Sequence, residues 1–106
     1  MSQFVESEKK SSGFELCGRM IRDNESLVVF IDGVGRFEIP GRVLTGVLAG
    51  FGDEELSWGR VRLSESGRGL YLDIGTFSYV SPVARIRAVM EGRNRKGPVS
   101  RVVNAS

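Results

Sequence analysis

Phe77-Ser78-Tyr79-Val80-Ser81-Pro82-Val83-Ala84-Arg85-Ile86-Arg87-Ala88-Val89-Met90-Glu91-Gly92 decides how the chain reads. Residues 77–80 suit a short returning strand. Pro82 then changes the period. Val83, Ile86, Val89 and Met90 recur at helical spacing, Ser81 is placed to cap a helix, Pro82 fits its first position and Gly92 ends it. Strand alternation through Ala84, Ile86, Ala88 and Met90 fits the same residues, so an earlier stretch has to arbitrate. Arg36-Phe37-Glu38-Ile39-Pro40 leads into Val43, Leu44, Val47, Leu48 and Phe51, again at helical spacing, with Gly50 as the stop. Pro40 and Gly50 stand as far apart as Pro82 and Gly92, and Leu44, Val47 and Leu48 match Ile86, Val89 and Met90. The parallel selects helix for both segments.

Upstream, the correspondence continues. Leu27 to Ile31 answers Leu70 to Ile74, and Gly18-Arg19-Met20 answers Gly59-Arg60-Val61. A period of about 42 residues emerges, with repeats at about 14–52 and 55–92. Phe14, Leu16 and Met20 share one face of a first strand. Leu27 to Ile31 is apolar on both faces, which suits a central strand or one covered by a partner. Asp32-Gly33 marks a hairpin turn. Val61 and Leu63 face inward on the strand after Trp58, as do Leu70, Leu72 and Ile74 on the next, and Tyr71 and Asp73 face outward. The expected fold is mainly β with two short helices (α+β), internally duplicated as βββα–βββα. Its sheet is antiparallel or closed into a small barrel, with pseudo-twofold symmetry.

The chain has 106 residues, the size of one domain. Residues 1–12 are polar and read as a flexible tail, 13–92 as the folded domain, and 93–106 as a basic C-terminal tail with a short strand at 99–103. A core this small gains from further burial, so a homodimer is expected. No apolar stretch is long enough to span a bilayer, so no membrane insertion is expected. Cys17 is the only cysteine and cannot form an internal disulfide; with no signal-like leader, the cytoplasm is the expected location.

Histidine is absent. That removes the commonest general base, the Ser-His-Asp and Cys-His arrangements and histidine-based zinc sites. Asp32 and Asp73 fall near corresponding strand ends and are the one candidate carboxylate pair, but each has a simpler place, in a turn and on an outward face. Asp53-Glu54-Glu55 reads as a solvated loop. Gly33-x-Gly35 lacks a dinucleotide fingerprint's third glycine, and Ser64 to Gly69 lacks a P-loop lysine. The chain is therefore read as a non-catalytic binding module, not an enzyme, with no cofactor and no metal.

Charge gives the positive signal. Residues 1–84 carry nine basic and twelve acidic groups, whereas 85–106 carry six basic and one acidic. Arg60 and Arg62 share the outward face with Tyr71, and Arg19 is the counterpart of Arg60. Cations beside an aromatic ring on a sheet face suit single-stranded nucleic acid, with charge for the phosphates and a ring for stacking. Arg93, Arg95, Lys96 and Arg101 add a basic arm. The leading expectation is nucleic-acid binding through these eight residues. The alternative uses the same charges in a protein-interaction or assembly adaptor. There the acidic 53–55 segment of one subunit meets the basic 93–96 segment of another, and strand 27–31 helps form the interface. The order of repeated strands followed by a helix resembles the Pur and Whirly nucleic-acid-binding folds. Their units are longer, with four strands, and the resemblance supplies a nucleic-acid expectation but no site residue.

Overall fold

The computed structural model describes residues 12–104; the rest of the expected N-terminal tail, 1–11, lies outside the described residues. The elements are β1 (Ser12–Asp23), β2 (Ser26–Ile31), β3 (Gly35–Ile39), α1 (Gly41–Leu48), β4 (Glu54–Leu56), β5 (Gly59–Leu63), β6 (Gly69–Ile74), β7 (Phe77–Pro82), α2 (Val83–Met90) and β8 (Lys96–Asn104). They form one antiparallel sheet in the order β3-β2-β1-β8-β7-β6-β5-β4, curled into a half-barrel. Each tight hairpin joins neighbours, whereas β8 returns from the far end of the chain to lie between β1 and β7.

One face of the curled sheet closes around the core. Met20, Leu27, Val29, Ile31, Ile39, Val61, Leu70, Leu72, Tyr79 and Val99 point into it, joined by Leu44 and Val47 of α1 and Val83, Ile86 and Val89 of α2. Burying one such aliphatic side chain contributes roughly 1.5–3 kcal/mol, which is how two eight-residue helices persist where isolated ones would not. Both helices end on a glycine in the left-handed region, Gly50 at φ 87° and Gly92 at φ 80°, a conformation glycine adopts without a Cβ penalty. The free edges β3 and β4 approach each other through Trp58. Its indole Nε1 donates to the Glu38 carbonyl at 3.0 Å, and its ring lies 5.5 Å from that of Phe37.

Several expectations change. The register of β1 against β8 shifts between Leu16 and Gly18, a bulge centred on Cys17. A bulge reverses the alternation, so Phe14 and Leu16 leave the face that Met20 occupies and stand 66% and 70% exposed. Phe51 is not part of the α1 stripe: the helix stops at Leu48, and the ring is 87% exposed. Ser81 does not cap α2. Its hydroxyl is buried and donates to the Pro98 carbonyl at 2.6 Å, while Pro82 takes the cap position. The acidic run 53–55 is not all loop, since Glu54 and Glu55 begin the short edge strand β4, paired to β5. Of the expected tail 93–106, residues 105–106 lie outside the described residues and most of the rest is strand. Residues 96–104 form a central strand longer than the expected 99–103, because Val99 is needed in the core and β1 offers a full-length edge. Strand 27–31 is covered within the chain: Val28 is 1% exposed, and Phe30 lies under Arg19.

Candidate nucleic-acid interface

The hairpin β5–β6 sets the site. Its register places Arg62 opposite Tyr71 and Arg60 opposite Asp73, and the next strand places Ser78 beside Asp73 and Val80 beside Tyr71. All six stand on the sheet face away from the core, where the alternation with Val61, Leu70, Leu72 and Tyr79 puts them. The outward placement of Arg60, Arg62 and Tyr71 thus agrees with the sequence reading, and the structure brings these three together.

Asp73 organises them. Its carboxylate accepts from Arg62 Nε at 2.7 Å and from an Arg62 terminal nitrogen at 3.2 Å, from Arg60 at 3.4 Å and from the Ser78 hydroxyl at 2.6 Å. The two-pronged bond from Arg62 is the strongest of these, and fork-to-carboxylate pairing fixes guanidinium orientation as well as charge. The Arg62 bond, with that of Ser78, holds the Asp73 carboxyl below its ordinary pKa against an opposing effect of burial. So held, the Arg62 guanidinium lies 4.5 Å over the Tyr71 ring, a cation–π stack.

Beside this stack runs an apolar groove of about 390 Å³. Tyr71 lines it on β6 and Phe14 on β1, and Val80, Ser100, Gly69 and Arg68 complete this part of its wall. Phe14 was missed in the sequence because a bulge is invisible to alternation. Arg68 was missed because it sits in a turn read only for its glycines. Asp73 was placed outward, but its pairing depends on a cross-strand diagonal that only the register fixes.

The other expected site residues scatter. Arg19 stacks 4.7 Å over Phe30 and, together with Lys96, lines a second pocket of about 270 Å³ with Arg85 of α2. Arg93 pairs with Glu91 at 2.7 Å in the loop after α2. Arg95 follows in the same exposed loop and makes no salt bridge among the described residues. Arg101 does not join an arm on this face. It lies opposite Tyr79 on the core side of the sheet, where it bonds Glu15 at 2.7 Å and sits 5.1 Å over Phe77.

No protein-family model, curated protein or solved structure matches this chain. Its chemistry is therefore read from its own side chains. Asp32 and Asp73 are four strands apart, at the end of β2 and on β6, and share no site. Cys17 sits in the bulge against the core, and burial raises its thiol pKa, which disfavours the thiolate. A cavity of about 660 Å³ between the helices gathers Arg22, Arg42 and Arg87, but Glu25 and Glu91 line it too, and Arg22 is bonded to the Met90 carbonyl. Among the described residues no helix is long and apolar enough to cross a membrane.

Proposed function

We propose that the chain is a non-catalytic, cytoplasmic module that binds single-stranded nucleic acid on the outer face of its sheet. The observation that carries this reading is a groove lined by two aromatic rings, Phe14 and Tyr71, with the Arg62 guanidinium already stacked on the second ring. Bases stack on such rings without regard to sequence, and neighbouring arginines meet the phosphates. The face is convex because the sheet curls around its core, so a flexible strand can follow it where a stiff duplex touches it along a line.

Tyr71→Ala is expected to weaken binding of a labelled oligothymidylate by about tenfold or more, the worth of one stacked base, with the melting temperature little changed. Fluorescence anisotropy reads the first quantity and circular dichroism the second. Unchanged affinity would remove the groove from the site. Arg62→Glu is a poorer test, because it sets a second carboxylate against Asp73 and mixes folding with binding.

A second reading is supported by the exposure of Phe14 and Leu16 on the same face: a second copy covers them, and the chain is an assembly adaptor acting as a homodimer. Sedimentation separates the two. A dimer that Leu16→Glu dissociates, with no oligonucleotide binding, would favour the adaptor.

The proposal extends to the architecture, in which the chain is an internal duplication with pseudo-twofold symmetry. Its support is local. Ala49 N–H bonds the Thr45 carbonyl, Gly50 that of Val47 and Phe51 that of Gly46; Glu91, Gly92 and Arg93 bond Arg87, Val89 and Ala88 in the same pattern. Gly18 and Gly59 also occupy like places, since a Cβ on either would run into a backbone carbonyl oxygen of the next strand, that of Phe30 or of Asp73. Gly18→Ala and Gly59→Ala are therefore each expected to cost about 1–3 kcal/mol in urea denaturation. A large cost at one site and none at the other would contradict the equivalence.

A further inference from the structure

The pocket between β1, β8 and α2 draws three cations from three separate elements: Arg19 from β1, Lys96 from the start of β8 and Arg85 from α2. Among the described residues no carboxylate lines it. The Arg19 guanidinium is held at the β2 side, 4.7 Å over the Phe30 ring, so the described lining is positively charged with no carboxylate in it to offset that charge. Arg85 carries a cost of its own. It is the third residue of α2, in a first turn that holds no acidic residue, where the helix dipole disfavours a positive charge. Its stem is seated there by Gly97, where any Cβ would press on the Met20 side chain and approach the Arg85 stem. An anion in the pocket would offset the positive lining and relieve the dipole conflict. The pocket also adjoins the aromatic groove, because Pro98 lines both.

We infer that this pocket is a phosphate site, and that it anchors the backbone of the strand whose bases stack on Phe14 and Tyr71. This rests on the outer-face reading. Two arginines and a lysine suit a phosphate, the guanidinium forks matching its oxygens and the ammonium acting as a point charge. From β1 to β5 the track crosses four strand spacings, about 19 Å in all, and fits a site of about four nucleotides.

The test compares the full chain with the double variant Arg85→Gln/Lys96→Gln, after thermal melts establish that both fold. Each is titrated with a labelled oligothymidylate over a range of salt, and with inorganic phosphate by calorimetry. The expected result is oligonucleotide binding whose log–log salt slope is shallower by about 1.4 in the variant, from two lost phosphate contacts. Binding with an unchanged slope would overturn the phosphate site and leave the outer-face reading standing. If the natural chain binds no oligonucleotide, the outer-face reading fails. Phosphate bound by the natural chain and not by the variant would then keep the pocket as a site for a free phosphate group, and phosphate bound by neither would overturn it as well.

Discussion

A chain ending at Gly92 is expected to lose its cooperative fold, although it loses only the residues whose charge invites reading them as an accessory arm. β8 fills the middle of the sheet. It runs antiparallel to β1 from Lys96 opposite Ile21 to Asn104 opposite Ser12, and it supplies Val99, fully buried, to the core. The Pro98 carbonyl accepts the buried Ser81 hydroxyl. Without β8, the sheet separates into β3-β2-β1 and β7-β6-β5-β4, each with a new open edge. The Ser81 hydroxyl would be left without its partner in a core of marginal size. Small domains hold only a few kcal/mol in reserve, so the loss exceeds what remains. Circular dichroism on heating should show no cooperative transition for residues 1–92. By contrast, Arg93→Gln/Arg95→Gln should melt within about 5 °C of the natural chain, since exposed substitutions rarely move stability by more than ~0.5 kcal/mol each. A sharp, natural-like melt of the truncated chain would refute the central placement of β8. Binding lost on truncation would therefore report unfolding rather than the removal of an arm.

The local elements were legible because their causes are local. Pro82, the Val83-Ile86-Val89 spacing and Gly92 specify α2, and the parallel run from Pro40 to Gly50 specifies α1. Asp32-Gly33 specifies the turn between β2 and β3. The failures belong to long-range order. The place of β8 depends on an edge that β1 offers some eighty residues earlier in the chain, and alternation in Val99-Ser100-Arg101-Val102-Val103 carries no trace of which strands will flank it. The bulge at Cys17 turned two expected core residues into surface ones, and one of these, Phe14, became half of the aromatic groove. The site was half legible for the same reason. Period-two alternation puts Arg60, Arg62, Tyr71 and Asp73 on one face, but the diagonal from Arg62 to Asp73 is a property of register. Arg85 needed the tertiary fold: in sequence it is only a polar residue off the apolar stripe of a helix.

Asp73→Asn is expected to weaken the fold and strengthen nucleic-acid binding at once, and the opposed signs make it the most discriminating single substitution on the outer face. The carboxylate holds Arg62, Arg60 and Ser78. The pair is partly in water, the Arg62 side chain being 33% exposed and Asp73 22%, so neutralising the acid should cost only about 1 kcal/mol at neutral pH. The pH dependence follows from the direction of the shift. Asp73 is held below its ordinary value, first by the Arg62 bond, so its contribution is present above the unfolded carboxylate value near 3.9 and is lost as the pH falls through the lower folded value. The stabilities of the natural chain and Asp73→Asn should therefore converge in acid, below about pH 4. Binding moves the other way. Removing one negative charge releases up to two arginines to phosphate, and the log–log salt slope for an oligothymidylate should steepen by about 0.7 for each cation released. The asparagine oxygen still accepts a bond from Arg62, so the guanidinium keeps its place over Tyr71 and stacking is preserved. Should Asp73→Asn destabilise the chain and leave affinity and slope as they were, Arg60 and Arg62 would be structural residues. The nucleic-acid reading would then rest on Phe14, Tyr71 and the Arg19–Arg85–Lys96 pocket. Tighter binding with a steeper slope would show that the acid restrains the face: it orients Arg62 for stacking and in doing so withholds part of its charge from the backbone it would otherwise grip.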